Sequence, residues 1–99
     1  MLSVIIPANN EQAYIGSCLD GLMAQSLDPA SIGGAEIVVA ANGCTDRTVA
    51  VAEGYLERAA AKGWGLIVLD IPQGGKTNAL NRADSIASAD LRAYLDADV

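Results

Sequence analysis

The 99-residue sequence contains no histidine, no phenylalanine and only 6 basic residues against 12 acidic ones. The absence of histidine excludes Ser-His catalytic triads and the usual zinc sites. No basic stripe with interleaved aromatic residues is present, which argues against a nucleic-acid partner. The apolar run at the N-terminus is too short for a signal peptide or a membrane span. Together with two thiols, Cys18 and Cys44, that lack metal-ligand spacing, this predicts a cytoplasmic protein. A membrane association of a longer form is left open.

Apolar runs that end in proline, in glycine or in polar residues alternate with stretches of helical periodicity. The runs predict buried strands at Leu2–Pro7, Glu36–Ala41, Gly65–Ile71 and Leu91–Leu95. The periodic stretches predict three helices. The first runs from about Glu11 to Gln25, and the third runs from a cap at Thr77 to about Ala87. The second runs from a cap at Thr45 or Asp46 to Gly63, and its apolar stripe is Val49, Ala52, Leu56 and Ala59. This alternation predicts an α/β fold, a Rossmann-like βαβαβαβ three-layer sandwich with a mainly parallel sheet.

A cluster of polar residues follows each of the four predicted strands. The clusters are Asn9–Glu11, Asn42–Asp46, Gly74–Lys76 and Asp96–Asp98. The carboxyl ends of parallel strands meet at one edge of a sheet, where ligands of open α/β sheets bind. We therefore expect the four clusters to form one site.

Asp96 and Asp98 are two residues apart, so in an extended segment both carboxylates point to the same side. Such oxygen ligands suit Mg²⁺ or Mn²⁺, which retain positions for water and substrate phosphates. The plain alternative is a solvated chain end, since Asp-x-Asp is common.

Lys76 follows a Gly-Gly pair, but this is no P-loop, since Asp70 occupies the position of the first glycine of that motif. A lysine at a helix N-terminus opposes the helix dipole, which favours an anionic ligand there over a structural role. Taken singly, Asn42 and Gly43 fit an ordinary turn, and Glu11 and Asp46 fit the first turn of a helix.

Read together, the segments VIIPANNE, EIVVAANGCTD, GGKTNALNRA and YLDADV resemble the family-2 glycosyltransferases of the GT-A fold, in the right order and over the whole chain. The resemblance implies a site for a nucleoside-diphosphate sugar, with transfer to an acceptor hydroxyl by inversion. Pro7, Ala8, Asn10 and Glu11 would line the nucleoside pocket, Asn42 and Asp46 would form the second nucleotide-binding loop, and Lys76 would lie near the nucleotide. Asp96 would face the ribose or the metal, and Asp98 would ligate the Mg²⁺ or Mn²⁺ that bridges the diphosphate.

The sequence departs from the family pattern in three respects. Asn9 replaces a tyrosine and Ala41 replaces an aspartate, so the nucleobase stays open. The family pattern continues beyond the Asp-x-Asp with the acceptor site and the catalytic base. We therefore expect residues 1–99 to be the N-terminal donor-binding part of a glycosyltransferase 2-like domain, incomplete and inactive alone, with no catalytic residue of its own and with an unknown acceptor.

Two alternatives to a donor-binding module remain at this stage. One is a non-catalytic nucleotide-binding or structural remnant, whose uncovered sheet surface could support self-association. The other is a phosphatase in which Asp96 of the Asp-x-Asp motif would be the nucleophile.

Overall fold

The computed structural model describes residues 1–25 and 28–97, and within these ranges strands and helices alternate. The elements are β1 (Leu2–Ala8), α1 (Ile15–Met23), a 3-10 helix (Pro29–Ile32), β2 (Ala35–Asn42), α2 (Thr48–Glu53), α3 (Leu56–Ala61), β3 (Trp64–Ile71), α4 (Lys76–Ile86) and β4 (Leu91–Tyr94). Among the described residues, no helix is both long enough and apolar enough to cross a bilayer.

The four strands form one sheet in the order β3-β2-β1-β4, and all neighbouring pairs are parallel. Val4 of β1 lies opposite Ile37 of β2 on one side and Ala93 of β4 on the other. The strand order reverses beside β1, because β2 and β3 build outwards on one side and β4 is added on the other. This confirms the predicted α/β fold and places a topological switch point at the carboxyl end of β1.

Two hydrophobic clusters cover the two faces of the sheet. Val4 and Ile6 of β1 pack in the first cluster with buried residues of α1, α2 and α3. Ile5 packs in the second with Ala79 and Ala83 of α4. Strand β2 is buried along its whole length, whereas the edge strand β4 is mostly exposed. The predicted three layers are therefore present, with three helices on one face and one on the other.

The prediction of one continuous helix ending at Gly63 is wrong. The structure has two separate helices, α2 and α3, joined at Gly54 and Tyr55. Glycine is a poor helix former, and the N–H of Tyr55 bonds to the carbonyl of Ala52, three residues back, at 3.0 Å. The break turns Leu56 outwards, where it is 44% exposed instead of buried as expected, and Tyr55 packs against the core in its place.

The other two helices differ from their predicted bounds at their starts. Helix α1 begins at Ile15, and the preceding residues form a turn in which the Glu11 carbonyl accepts the N–H groups of Tyr14 at 3.0 Å and Ile15 at 2.8 Å. Helix α4 begins at Lys76, so Gly75 and not Thr77 occupies the N-cap position.

Candidate functional site

The carboxyl ends of β1 and β2 and the segments after β3 and β4 enclose a cleft of about 530 Å³. Its lining residues come from four parts of the sequence: Pro7, Ala8, Asn9, Glu11, Asn42, Gly75, Lys76, Asp96 and Ala97. The cleft lies at the switch point of the sheet, where ligands of this architecture bind. The expectation that the polar clusters share one edge is thus met for the part of the chain that the structure describes.

Asn42, the last residue of β2, joins three segments at the base of the cleft. Its side-chain amide donates to the carbonyls of Ala8 at 3.1 Å and Ala40 at 3.2 Å. Its side-chain oxygen accepts the N–H of Gly75 at 3.0 Å. Asn42 is only 3% exposed, and its buried polar atoms are satisfied by backbone groups. It therefore fixes the start of α4 to the ends of β1 and β2.

The loops after β2 and β3 touch through two glycines. A Cβ atom added to Gly43 would lie 2.8 Å from the Cα of Gly74, which is too close for any side chain. Gly43 also has φ of +58°, a conformation that other residues adopt at a cost. Asn9 closes the same corner, since its side chain donates to the carbonyl of Asn42 at 2.6 Å. The close approach of the two loops depends on the absence of side chains at this contact.

Asn10 and Cys44 connect the loop after β1 to the loop after β2. The Asn10 side-chain oxygen accepts the N–H groups of Thr45 at 2.8 Å and Asp46 at 3.3 Å. In return, the Asn10 N–H donates to the Cys44 sulfur at 3.4 Å. Asn10 has φ of +53°, a left-handed conformation that asparagine tolerates better than most residues. These bonds hold the two loops together as one wall.

A second link between these loops passes through Thr48, the first residue of α2. The buried Thr48 hydroxyl accepts the N–H of Glu11 at 2.9 Å and donates to the Asp46 carboxylate at 2.5 Å. Asp46 also accepts the N–H groups of Thr48 and Gln12. The hydrogen bond from the Thr48 hydroxyl, helped by these backbone bonds, lowers the pKa of the Asp46 carboxyl. Asp46 therefore stays ionised to a lower pH than an ordinary aspartate does.

The mouth of the cleft carries an ion pair. The ammonium of Lys76 lies 2.8 Å from a carboxylate oxygen of Asp96, and the two side chains are 63% and 51% exposed. Lys76 comes from the first turn of α4, and Asp96 follows β4. Opposite charges therefore meet across the cleft from two different elements.

The structure separates the predicted site residues into three groups. Six of them line the cleft: Pro7, Ala8, Glu11, Asn42, Lys76 and Asp96. Asn10 and Asp46 lie in the paired loops beside it, bonded to each other's segments. Asp98 lies outside the described residues. Whether each residue contacts a nucleotide or a metal stays a prediction.

Thr48 was not singled out from the sequence, and the contact between Gly74 and Gly43 was not foreseen. Thr48 stands two residues after an acidic residue at the start of a helix, which is a local capping signal that could have identified it. The contact of Gly74 with Gly43 leaves no comparable local signal, because the two glycines are 31 positions apart.

The donor set for a metal is sparse among the described residues. Within residues 1–25 and 28–97, no group of three or more acidic or cysteine side chains surrounds a common point. Asp96 is the carboxylate that the structure places at the mouth beside a cation.

Comparison with known proteins identifies relatives of this fold and sequence. Residues 3–99 match the family described as Glycosyl transferase family 2. The uncharacterized glycosyltransferase EpsJ of Bacillus subtilis (strain 168) is 29% identical over 98 residues, which cover 99% of this chain and 26% of EpsJ. Similarity of sequence therefore extends over nearly the whole chain.

Two solved structures share the fold over 98% of this chain. The mannosyltransferase PcManGT from Pyrobaculum calidifontis, in complex with GDP-Man and Mn²⁺, superposes with a TM-score of 0.81 at 28% identity. S. aureus TarS 1-349, in complex with UDP, superposes with a TM-score of 0.78 at 27% identity. The chain covers 27% of each of these structures, so it spans about a quarter of the length of the relatives it matches.

Proposed function

Because the chain belongs to glycosyl transferase family 2, we propose that its cleft binds the nucleoside diphosphate of a sugar donor together with Mg²⁺ or Mn²⁺. The observation that carries this proposal is the cleft itself. It lies at the switch point of a parallel sheet, its volume of about 530 Å³ is in the range of small-molecule and cofactor sites, and a lysine and an aspartate stand at its mouth. Two structural relatives hold GDP-Man with Mn²⁺ and UDP, respectively.

The cleft residues fall into two parts under this proposal. Pro7, Ala8 and Glu11 form the side at the end of β1, which would receive the nucleoside. Asn10 and Asp46 would act on the nucleoside through the wall that their loops form. Lys76 and the N-terminal turn of α4 would face the diphosphate, since first-turn N–H groups lack intrahelical partners and favour anions.

Asp96, with Asp98 as its predicted companion, would hold the divalent cation. The half-exposed Asp96 carboxylate already has an ammonium group 2.8 Å away, so its position and charge suit a cation. When bound, the metal would neutralise the diphosphate and assist its departure as a Lewis acid. The protein's own part is to position the diphosphate against that cation.

The activity of the whole protein would be transfer of the sugar to an acceptor hydroxyl with inversion at the anomeric carbon. We assign no catalytic base to this chain, which corresponds to about a quarter of the length of its relatives. The family match extends over residues 3–99, a range that includes the Asp-x-Asp segment, and this argues against the phosphatase alternative.

Calorimetric titration with UDP and GDP, with and without Mn²⁺, tests the proposal. We expect binding of one nucleoside diphosphate that requires Mn²⁺ and that Asp96→Asn weakens at least about tenfold, equivalent to about 1.4 kcal/mol. Asp90→Asn makes the same chemical change at an exposed position before β4 and is the matched control. Failure of the native chain to bind either nucleotide in the presence of Mn²⁺ would favour the structural remnant.

A further inference from the structure

The Thr48 hydroxyl joins the two loops that form one wall of the cleft. It is fully buried, accepts the N–H of Glu11 at 2.9 Å and donates to the Asp46 carboxylate at 2.5 Å. A hydroxyl has one proton to donate and lone pairs to accept, so a single group makes both bonds. One partner belongs to the loop after β1 and the other to the loop after β2. This hydroxyl therefore fixes the distance between the loops at this point.

Two successive backbone groups of the loop after β1 are held in this way. The N–H of Glu11 donates to the Thr48 hydroxyl, and the N–H of Gln12 donates to the second oxygen of the Asp46 carboxylate at 3.2 Å. The carbonyl of Glu11 accepts the N–H of Ile15 at the start of α1. The backbone of Glu11 is thus bonded through both its N–H and its carbonyl. Its position depends on the hydroxyl of Thr48.

Thr48 acts on the cleft through its neighbours. The cleft is lined by Glu11, whereas Thr48 is buried behind the wall. Residues that bind a ligand must be held within about 0.5 Å of their productive geometry by supporting hydrogen bonds. Loss of the Thr48 hydroxyl would remove such support from both loops at once. Valine in its place keeps the shape of the side chain and removes only the hydroxyl.

We propose that Thr48 is a positioning residue for nucleotide binding, which holds Glu11 and the loop of Asp46 in the arrangement that receives the nucleoside. This inference rests on the proposed function, and it gives Thr48 no contact with the nucleotide.

Ser3, at the amino end of β1, offers a matched control. Its hydroxyl is also fully buried, donates to the Glu36 carboxylate and accepts the N–H of Ala89 at 3.2 Å. None of these three residues lines the cleft. Thr48→Val and Ser3→Ala therefore each remove a hydroxyl that donates to a carboxylate and accepts a backbone N–H. One hydroxyl lies beside the cleft and the other at the opposite end of the sheet.

The first experiment measures the affinity for UDP and GDP in the presence of Mn²⁺ by calorimetric titration. We expect Thr48→Val to weaken binding about fivefold to tenfold, as for the loss of one supporting hydrogen bond. Thr48→Ser keeps the hydroxyl, and both it and Ser3→Ala should bind within about twofold of the native chain. Urea denaturation verifies that each variant is folded and compares the stability lost at the two hydroxyls.

A second measurement reports on the hydroxyl bond itself. The Thr48 hydroxyl is the chief cause of the lowered pKa of the Asp46 carboxyl. In a carbon NMR titration of that carboxyl, the pKa should rise towards its ordinary value in Thr48→Val and stay low in Thr48→Ser. A change in pKa that accompanies the change in affinity assigns the loss of binding to the missing hydroxyl bond. A general loosening of the fold would not produce this pairing.

Amide hydrogen exchange of the native chain tests the role even if Thr48→Val does not fold. The N–H of Glu11 donates to Thr48, and the N–H of Ala89 donates to Ser3. Exchange of each amide reports the local opening of its segment. UDP or GDP with Mn²⁺ should slow exchange at Glu11 more than at Ala89.

The outcomes separate the positioning role from the proposed function. Loss of affinity in Thr48→Val, with recovery in Thr48→Ser, supports the role. Native-like binding by Thr48→Val, equal losses in Thr48→Val and Ser3→Ala, or equal slowing of the two amides overturns the role while the proposed function stands. If the native chain binds neither nucleotide with Mn²⁺, the proposed function itself fails and the positioning role fails with it.

Discussion

Each end of β2 carries a buried polar side chain that forms hydrogen bonds to other segments, but the two side chains have different surroundings. At the amino end, the buried Glu36 carboxylate accepts the Ser3 hydroxyl at 2.5 Å and the N–H of Ser88 at 2.6 Å. The Ser3 oxygen in turn accepts the N–H of Ala89. At the carboxyl end, the buried Asn42 joins β1, β2 and the start of α4. Each side chain ties the central strand to two other segments.

The two side chains differ in the part of the molecule that their hydrogen bonds hold in place. The groups around Glu36 are Ser3, Ser88 and Ala89, and none of them lines the cleft. Asn42 lines the cleft and fixes Gly75 beside the lysine at its mouth. Buried hydrogen bonds of similar kind thus stabilise the fold at one end of the strand, and position the candidate site at the other. Burial and hydrogen bonding alone do not distinguish the two roles.

The largest effects should come from removing these two side chains. Glu36→Ala and Asn42→Ala each leave buried donors or acceptors without a partner, and each should lower the free energy of unfolding by about 3 kcal/mol. Only Asn42→Ala should weaken binding of nucleoside diphosphate with Mn²⁺ in molecules that remain folded, by about tenfold. Urea denaturation and calorimetric titration measure the two quantities.

Glu36→Gln is the matched control at the amino end. Both hydrogen bonds go to the same Glu36 oxygen, which a glutamine can supply, so the loss of stability should be about 1 kcal/mol or less. Equal loss of nucleotide binding in Glu36→Ala and Asn42→Ala would abolish the distinction between the two ends.

A smaller effect is expected at the contact between the loops. Gly43→Ala forces a side chain against Gly74 and adopts positive φ, and it should lower the free energy of unfolding by about 2 kcal/mol. Gly21→Ala, at an exposed position in the last turn of α1 where an added Cβ meets nothing, should instead raise it by about 0.5–1 kcal/mol. Opposite signs in urea denaturation confirm the close approach, whereas a neutral Gly43→Ala contradicts it.

The smallest effect concerns pH. The pKa of Asp46 is lowered in the folded chain, chiefly by the Thr48 hydroxyl, so its carboxylate contributes stability above the unfolded value of about 3.9. That contribution is lost as pH falls through the lower folded pKa. Asp46→Asn should therefore flatten part of the decline in unfolding midpoint below about pH 4. An unchanged slope in Asp46→Asn would refute the assignment.

The sequence predicted the strands well because each is a local apolar run. All four fall within a residue of their predicted ends, and the parallel order follows from the helices between them. The sequence did not predict the break between α2 and α3, because the apolar periodicity continues through Gly54. The packing of Tyr55 against α1 depends on tertiary contacts. Tyr55 donates to Asp20, 35 residues away.

The location of the candidate site could be predicted from the sequence, but the contacts between its residues could not. Parallel strands bring polar strand ends together, so Asn42, Lys76 and Asp96 could be placed at one edge from the sequence. The packed sheet sets the distances between these residues. Those distances decide that the Asn42 side chain bonds to backbone groups and that Lys76 pairs with Asp96. The bonds of Asn42 with Ala8 and Gly75, and the pair of Lys76 with Asp96, join residues 20 or more positions apart, where no sequence period applies.

Helix α4 is attached to the same strand at both of its ends. Asn42 binds the N–H of Gly75 before the helix, and Glu36 binds the N–H of Ser88 after it. Six residues of strand span about 20 Å, and the 11 residues of α4 span about 16 Å, so helix and strand match in length. The distance between Glu36 and Asn42 in β2 therefore limits the length of this helix. A residue inserted into α4 would have to release one attachment, so the spacing between the loop at Gly75 and the start of β4 is fixed by the strand beneath.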